Sequence, residues 1–207
     1  MRKLLDVLQN ERKNKISGGI YNKMQVDFAF NSNHIEGSRL THEQTRYIYE
    51  TKTIGADNVP VNDIIETVNH FRCFDYVLDT VSELITEDYI KCLHKTLKNG
   101  IMEDGDEIVV GDYKKFPNEV GGMITVMPDK VPDKIRQLLA DTNPKMSLYS
   151  IISFHVEFER IHPFFDGNGR VGRLIMFKQC LENEIVPFFV DEFYKMFYYK
   201  GLQEWQE

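Results

Sequence analysis

The chain has 207 residues, of which 42% are hydrophobic and 28% charged, a composition typical of a globular protein with one sizeable core. The net charge of −7 argues against a nucleic-acid partner, because nucleic-acid-binding proteins usually present a basic face. The N-terminus lacks the apolar run of a signal peptide, and no stretch is long enough to span a bilayer. Cys73, Cys92 and Cys180 match neither a zinc site nor a disulfide framework. We therefore expect a cytoplasmic protein that contacts neither membrane nor nucleic acid.

Helical patterns dominate the first half of the chain. The predicted helices cover residues 2–16, residues 21–35, residues 41–51, a longer stretch that follows Pro60, and a stretch from Thr86 to Asn99 and Gly100. Gly18 and Gly19 separate the first two helices. Thr41 and Gln44 have the spacing of a capping box, which predicts where the third helix begins.

Most of the second half is also helical by pattern. The predicted helices cover residues 131–141, residues 148–161, a stretch from Arg170, and residues 191–205. Residues 111–128 are the exception, because their glycines and short apolar runs predict turns and a β-hairpin. A group of aromatic residues near the C-terminus is expected to pack in the core: Phe188, Phe189, Phe193, Tyr194, Phe197, Tyr198 and Tyr199. The sequence thus predicts a mainly α protein, a helical bundle with a short hairpin.

The most informative segment runs from His162 to Arg173 and reads HPFFDGNGRVGR. The helix before it must end near His162, because Pro163 biases the preceding residue away from the helical conformation. The glycines allow a tight turn and a close approach of the backbone to a ligand. From Arg170 the pattern is helical again, so the turn lies at a helix N-terminus, where free N–H groups favour an anion.

The side chains of this segment suit a phosphate ligand. Arg170 and Arg173 are three residues apart, so they lie on neighbouring faces of the helix and can converge on one polyphosphate. The planar guanidinium group binds phosphate oxygens in a bidentate manner. Asp166 suits Mg²⁺, which binds through one or two carboxylates plus substrate phosphates, and His162 is the obvious proton acceptor. An exposed corner rich in Gly and Arg would explain neither His162 nor Asp166.

The same segment resembles the signature of Fic-domain proteins, His-x-Phe-x-(Asp/Glu)-Gly-Asn-Gly-Arg-x-x-Arg, at every fixed position. The resemblance implies a Fic fold and the transfer of AMP from ATP to a Ser, Thr or Tyr hydroxyl of a target protein. It implies that His162 deprotonates the hydroxyl and that Asp166 binds Mg²⁺ or Mn²⁺. Arg173 would hold the γ-phosphate. The resemblance assigns nucleotide binding to Gly167, Asn168, Gly169, Arg170 and Arg173.

A second segment, SNHIEG from Ser32 to Gly37, resembles the inhibitory motif of the same family, (Ser/Thr)-x-x-x-Glu-(Gly/Asn). The pattern is weak by itself, because a helix end with a solvated Glu36 and Gly37 as its cap has the same spacing. Upstream of an intact signature, it implies that Glu36 pairs with Arg173 in place of the γ-phosphate. A carboxylate–guanidinium pair of this kind is strong and directional. Its position implies the subclass with an N-terminal inhibitory helix, which acts in cis.

The predicted hairpin corresponds to the flap of the family, which aligns the extended segment of a target by main-chain pairing. A plain surface hairpin is the alternative. The flap assignment gives target docking to Gly122, Met123, Ile124 and Thr125. Relatives often carry arginine where Lys114 stands, so no role is assigned to that position. We expect a helical segment with the inhibitory motif over residues 1–55 and a catalytic core over residues 56–207.

Two other functions stay open from the sequence. The same site could remove AMP from a modified protein, with Glu36 orienting a water molecule. Alternatively, the chain could be a nucleotide-binding interaction module with little catalysis. The intact glycine turn and both arginines favour a nucleoside triphosphate donor. The resemblance also implies self-modification and self-association into homo-oligomers.

Overall fold

The computed structural model describes residues 3–55, 58–101, 109–120, 123–142 and 145–205. Within these ranges the chain forms nine α-helices and one two-stranded hairpin, which confirms the mainly α fold class. The elements are α1 (Leu4–Lys13), α2 (Ile20–Ile35), α3 (His42–Thr51), α4 (Val61–Asp79), α5 (Glu87–Leu97), β1 (Glu119–Val120), β2 (Met123–Ile124), α6 (Val131–Ala140), α7 (Leu148–Ile161), α8 (Asn168–Glu182) and α9 (Lys195–Glu204). No helix in the described ranges is both long and apolar enough to cross a membrane.

Capping side chains explain where α3 and α5 begin. Thr41 Oγ1 accepts a hydrogen bond from the N–H of Gln44 at 3.1 Å, and Gln44 Oε1 accepts one from the N–H of Thr41 at 2.8 Å. This is the predicted capping box. Thr86 accepts a hydrogen bond from the N–H of Tyr89 at 3.1 Å at the start of α5. Both caps satisfy N–H groups that have no partner within their helices.

Helix α8 lies at the centre of the fold, with α2, α4, α5 and α7 packed against it. It is buried almost along its whole length. A helix that is covered on every side must bury its polar residues too, and each of them then needs an interior partner. Lys178 shows this clearly, because its Nζ donates to the carbonyl groups of Val81 at 2.8 Å and Glu83 at 2.7 Å. The same demand applies to Arg170 and Arg173.

The N-terminal helices share the apolar core of the rest of the chain. Leu8 of α1 and Phe28 of α2 belong to the same buried cluster as Phe177 of α8. The ring of Phe28 lies 5.3 Å from that of Phe177 and stacks on Phe189 at 4.6 Å. This packing holds α2 against α8 and brings the C-terminal end of α2 toward the turn before α8. The division into residues 1–55 and 56–207 stays a prediction.

The C-terminal stretch departs from the prediction of one helix over residues 191–205. A 3₁₀ turn, Glu192–Tyr194, comes first, and α9 follows it. The expectation that the aromatic residues pack in the core is wrong for four of them: Phe188 (41% exposed), Phe193 (79%), Tyr194 (56%) and Phe197 (70%). Consecutive residues of a helix point in different directions, so a surface helix cannot bury a continuous aromatic run. Phe189 packs against the core, and Tyr198 and Tyr199 are partly buried.

The predicted hairpin is present, although each strand has only two residues. Strands β1 and β2 are antiparallel, with Glu119 opposite Ile124 and Val120 opposite Met123. The side chain of Ile124 is 70% exposed. Gly122, one of the four residues assigned to target docking, lies outside the described residues.

Candidate functional site

His162 lies at the C-terminal end of α7, where Pro163 prevents the helix from continuing. Its backbone has a φ of 50°, a left-handed conformation that is uncommon for a residue with a side chain. Nδ1 lies 3.3 Å from the carbonyl oxygen of Glu159. A proton on Nδ1 that is donated to this oxygen leaves the lone pair on Nε2. Burial is the main cause that lowers the pKa of His162 to about 4, so the ring is neutral near pH 7. A neutral imidazole with a fixed tautomer suits a general base.

A second titratable group lies behind this imidazole. Glu159 Oε2 is 4.0 Å from His162 Nδ1. Burial raises the pKa of Glu159 to about 8, so this carboxyl group carries its proton at neutral pH. Sequence reasoning gave Glu159 no role, because nothing in its spacing distinguishes it from Glu157, the other acidic residue of α7.

Hydrogen bonds from Asn168, at the start of α8, and from His94, on α5, hold the loop between α7 and α8 in place. The N–H of Phe164 donates to Asn168 Oδ1 at 2.8 Å, and Asn168 Nδ2 donates to the carbonyl of Phe164 at 2.9 Å. The His94 ring stacks on the buried Phe164 ring, with centroids 3.9 Å apart. Its Nδ1 accepts from the N–H of Gly111 at 3.0 Å, so Nε2 donates to the carbonyl of Asp166 at 3.2 Å. The predicted nucleotide contact of Asn168 stays a prediction, since its amide already bonds the loop.

Glycine permits a close contact at the first turn of α8. Gly167 precedes the helix with a φ of 80°. A Cβ atom at Gly169 would collide with Glu36 Oε1 and would lie 2.9 Å from Arg173 Nη1. The missing side chain therefore lets a carboxylate lie directly against the helix backbone. Since a helix N-terminus favours negative charge, Glu36 occupies an anion site.

The residues of the second motif meet at Arg173. Its Nη2 lies 2.6 Å from Glu36 Oε1 and donates to the carbonyl of Ser32 at 2.9 Å, while Nε donates to Ser32 Oγ at 3.0 Å. The Arg173 side chain is 2% exposed and that of Glu36 is 28% exposed. Gly37, with a φ of 99°, follows immediately. The structure thus places Ser32 and Glu36 in contact with Arg173.

Arg170 has different partners, and together they form what we call the four-charge ring: Glu66, Lys98, Asp166 and Arg170. Lys98 Nζ lies 2.6 Å from Asp166 Oδ2 and 3.0 Å from Glu66 Oε1. Arg170 Nη2 lies 3.2 Å from the same Asp166 oxygen, and Arg170 Nη1 pairs with Glu66 Oε2. The guanidinium group of Arg170 therefore already contacts two carboxylates. Its predicted contact with a nucleotide stays a prediction.

Asp166 fits a divalent ion that arrives with a nucleotide. Burial alone would raise the pKa of Asp166, but Arg170 and Lys98 outweigh it and lower the pKa to about 2. The carboxylate is therefore ionised, and its side chain is 44% exposed. No group of three or more His, Cys, Asp or Glu residues in the described part of the chain is placed to hold a metal. A single exposed carboxylate suits Mg²⁺, which keeps phosphates and water among its ligands.

The base of the hairpin is bonded to the loop that carries His162. Lys114 Nζ donates to Asn118 Oδ1 at 2.7 Å and to Thr125 Oγ1 at 2.6 Å. Asn118 Nδ2 donates to the carbonyl of Phe164 at 3.1 Å, and the N–H of Lys114 donates to the carbonyl of Pro163 at 2.9 Å. Burial lowers the pKa of Lys114 to about 8. These bonds place Ile124 and Thr125 next to the loop, although their predicted docking role is not tested by the geometry.

Sequence reasoning missed six residues that support the site from other parts of the chain. These are Glu66, His94, Lys98, Asn118, Glu159 and Tyr198. Lys98 is 32 residues from Glu66 and 68 residues from Asp166. No local spacing signals a partner at such a distance, so only the packing of α4 and α5 against α8 brings these charges together.

Comparison with known proteins supports a family assignment. Residues 84–180 match the Fic/DOC family. The chain is 25% identical over 186 residues to "Protein adenylyltransferase Fic" of Aedes aegypti, a match that covers 86% of this chain and 36% of the relative. It is 27% identical over 155 residues to the protein of the same name in Nematostella vectensis, covering 71% of this chain and 35% of the relative. The chain thus spans about a third of the length of these relatives.

Solved structures show the same fold. A Fic domain containing signaling protein from Bacteroides thetaiotaomicron superposes with a TM-score of 0.77 at 24% identity, covering 97% of this chain and 80% of that chain. Fic-1 from C. elegans gives a TM-score of 0.71 at 18% identity, covering 96% of this chain and 62% of that chain. These matches confirm the expected Fic fold.

Proposed function

We propose that the chain is a protein adenylyltransferase, because residues 84–180 match the Fic/DOC family and the chain is similar to proteins named protein adenylyltransferase Fic. In this proposal it moves AMP from ATP to a Ser, Thr or Tyr hydroxyl of a target protein, and Glu36 inhibits it in cis. The observation that carries the proposal is the anion site at the first turn of α8, where the Glu36 carboxylate lies against Gly169 and Arg173.

The same anion site supports the inhibitory role of Glu36. The site offers a guanidinium group and the N-terminal end of a helix, both of which attract phosphate. The γ-phosphate of ATP and the Glu36 carboxylate cannot share Arg173 without strong repulsion. Glu36 is 28% exposed and lies just past the end of α2, so it can move into solvent without unfolding that helix. Occupation of the site by Glu36 would hold ATP in a pose that the hydroxyl cannot attack in line.

His162 supplies the proton transfer in the proposed reaction. The target hydroxyl oxygen forms a bond to the α-phosphorus of ATP, and the bond from that phosphorus to the oxygen bridging the β-phosphate breaks. The hydroxyl proton moves to Nε2 of His162, and pyrophosphate leaves. A base positioned in this way contributes roughly 10²–10⁴ in rate. A divalent ion at Asp166 would neutralise phosphate charge as a Lewis acid.

In this proposal the hairpin is the docking site for the target protein. Strand β2 presents Ile124 to solvent and is bonded through Thr125 to Lys114 and Asn118. An extended target segment could add to this strand by main-chain pairing, which would hold its hydroxyl near His162. Self-modification and self-association remain part of the proposal, as does a cytoplasmic location. The cysteine thiols are unbridged, which agrees with a reducing compartment.

The decisive experiment measures AMP transfer from labelled ATP with Mg²⁺ or Mn²⁺, followed by mass spectrometry of the chain and of added proteins. We expect Glu36→Gly to transfer at least about tenfold more AMP than the unsubstituted chain, because relieving one carboxylate contact is worth about 1.4 kcal/mol or more. His162→Ala should transfer none and should bind ATP almost unchanged in calorimetry. His42→Ala, an exposed histidine on α3, is the matched control for the loss of an imidazole.

Several outcomes would refute parts of the proposal. A Glu36→Gly variant that transfers no more AMP than the unsubstituted chain removes the inhibitory role of Glu36. Loss of ATP affinity in His162→Ala contradicts its role as a base. Removal of AMP from a modified protein would favour hydrolysis by a water molecule that Glu36 orients, and ATP binding without transfer in every variant would favour an interaction module.

A further inference from the structure

We propose that Lys98 prevents Asp166 from holding a divalent cation on its own, so that the ion enters the site only together with a nucleotide. Lys98 is then a positioning residue that sets the order of binding. The inference rests on the proposed function, because it takes Asp166 as the metal ligand of a nucleotide site.

The geometry of the four-charge ring is the first step. Lys98 and Arg170 both contact the same oxygen of Asp166, at 2.6 Å and 3.2 Å. Glu66 joins the two cations from the other side, at 3.0 Å from Lys98 Nζ and in direct contact with Arg170. Two positive and two negative charges therefore alternate, and their sum is zero.

Lys98 is fixed in this position by its surroundings. Its side chain is 1% exposed, and its N–H donates to the carbonyl of His94 at 2.9 Å at the end of α5. Its Cδ lies 3.6 Å from the position that a Cβ atom on Gly167 would take, directly beneath the turn. Moving the ammonium group away would leave a buried charge without its carboxylates, which is strongly unfavourable. Lys98 therefore stays beside Asp166 throughout binding.

The charges of the ring decide what a divalent cation encounters. An ion that approaches Asp166 is attracted by the carboxylates of Asp166 and Glu66 and repelled by Lys98 and Arg170, all within a few ångströms. Because Lys98 and Arg170 both contact the same oxygen of Asp166, they oppose the attraction of a cation to this carboxylate. A nucleotide adds several negative phosphate charges at the N-terminus of α8, and Mg²⁺ ordinarily takes phosphates as ligands. Binding of the ion at Asp166 is then favourable only when the nucleotide binds with it.

Two substitutions in the ring have opposite expected effects. Lys98→Met removes a positive charge, so that two carboxylates face Arg170 alone and the ring attracts a cation. Glu66→Gln removes a negative charge next to Lys98 and Arg170, so that the ring becomes less attractive to a cation. If the ring only supported the structure, both substitutions would disturb Asp166 and change metal affinity in the same direction.

The test measures Mn²⁺ binding without nucleotide, from the electron paramagnetic resonance signal of the free ion. We expect Lys98→Met to bind one Mn²⁺ about tenfold or more tightly than the unsubstituted chain, the result of one charge removed at this distance. Glu66→Gln should bind no more tightly than the unsubstituted chain. Lys98→Arg, which keeps the charge, should also remain weak. Adding Asp166→Asn to Lys98→Met should abolish the new binding, which separates this site from other acidic surfaces.

Equal Mn²⁺ affinity of folded Lys98→Met and the unsubstituted chain would overturn the proposal, as would tighter binding in Glu66→Gln. If Lys98→Met fails to fold, the unsubstituted chain still decides the matter. Binding of Mn²⁺ at Asp166 without nucleotide, as tight as with it and lost in Asp166→Asn, would also overturn the proposal. The measurement involves no AMP transfer, so a chain that binds ATP but transfers nothing would refute the proposed function alone.

Discussion

Arg170 and Arg173 lie one turn apart on α8 and are almost equally buried, at 3% and 2% exposure, yet their surroundings differ. Arg170 contacts two carboxylates that also bind Lys98. Arg173 contacts one carboxylate, Glu36, which is 28% exposed. The difference indicates that the burial of an arginine does not decide whether a ligand can replace its carboxylate partner. We expect this to depend on how exposed that carboxylate is and on how many other residues contact it.

The positions of the two glutamates explain this difference. Glu66 lies within the 19-residue helix α4, which packs against α5 and α8. Glu36 lies immediately after the last residue of α2 and is followed by Gly37 in a left-handed conformation. The Glu66 side chain is 15% exposed and contacts both Lys98 and Arg170, whereas the Glu36 side chain is 28% exposed and contacts Arg173. We therefore expect Glu66 to be a permanent partner of Arg170 and Glu36 to be a replaceable partner of Arg173.

Removing each guanidinium group should give the largest difference between the two regions. We expect Arg170→Met to lower the free energy of unfolding by about 3–5 kcal/mol, because Glu66 loses a buried partner. Arg173→Met should cost about 2 kcal/mol less, since Glu36 can regain water. Urea denaturation of both variants measures the two losses. Equal losses would show that the partners are equally permanent.

As the pH falls, the folded state should lose stability first through His162, at the end of α7, and only later through Asp166 of the four-charge ring. The pKa of His162 is lowered to about 4, so stability that depends on its neutral form is present above the unfolded pKa of about 6.5 and is lost as the pH falls toward 4. The pKa of Asp166 is lowered to about 2, so its contribution is lost only as the pH falls from about 4 toward 2. The lowered pKa of His162 corresponds to a change of about 3 kcal/mol at most in the free energy of unfolding.

Urea denaturation between pH 7.5 and 4 checks the pH prediction. The free energy of unfolding should fall over this range, and His162→Gln should reduce the slope. The other buried histidines titrate in the same direction and leave a residual slope in the variant. An unchanged slope in His162→Gln would contradict the burial of a neutral imidazole at this position.

Neutralising Glu36, the partner of Arg173, and Glu66, the partner of Arg170, should have different effects on ATP affinity. We expect Glu36→Gln to raise the affinity for ATP by about tenfold, equivalent to about 1.4 kcal/mol, because the competing charge at Arg173 is removed. Glu66→Gln, which removes a carboxylate from Arg170, should bring no such gain. Calorimetric titration with ATP measures both affinities. A gain in Glu66→Gln of similar size would mean that both arginines exchange their partners.

The smallest expected effect on stability comes from removing the hydroxyl group of Tyr198, which lies between His155 and Arg173. Tyr198 OH lies 2.7 Å from His155 Nε2 and 3.5 Å from Arg173 Nη1. Tyr198→Phe keeps the ring and should lower the free energy of unfolding by about 1 kcal/mol, the typical net value of one hydrogen bond. Tyr194→Phe, at a residue that is 56% exposed, is the matched control and should change nothing measurable. Identical melting temperatures for both variants would show that the buried hydroxyl contributes no stability.

Local signals predicted much of the fold. The capping box at Thr41 and the cap at Thr86 are confirmed, because each depends on residues three positions apart. Pro163 ended α7 where predicted. The aromatic run near the C-terminus was misjudged, because hydrophobicity alone does not show how many sides of α9 are covered. Phe193 and Phe197 therefore proved largely exposed.

The sequence by itself determined where α3 and α5 begin, where α7 ends, that a glycine turn opens α8, and that His162, Asp166 and Arg173 lie close to that turn. Those features depend on neighbours in the chain and on the preferences of single residues. Only the tertiary structure decided that Arg170 pairs with Glu66 and that Lys98 pairs with Asp166, whereas the resemblance of the second motif already implied that Arg173 pairs with Glu36. Lys98 and Asp166 are 68 residues apart in the chain, and Glu36 and Arg173 are 137 residues apart, so long-range packing brings these charges together.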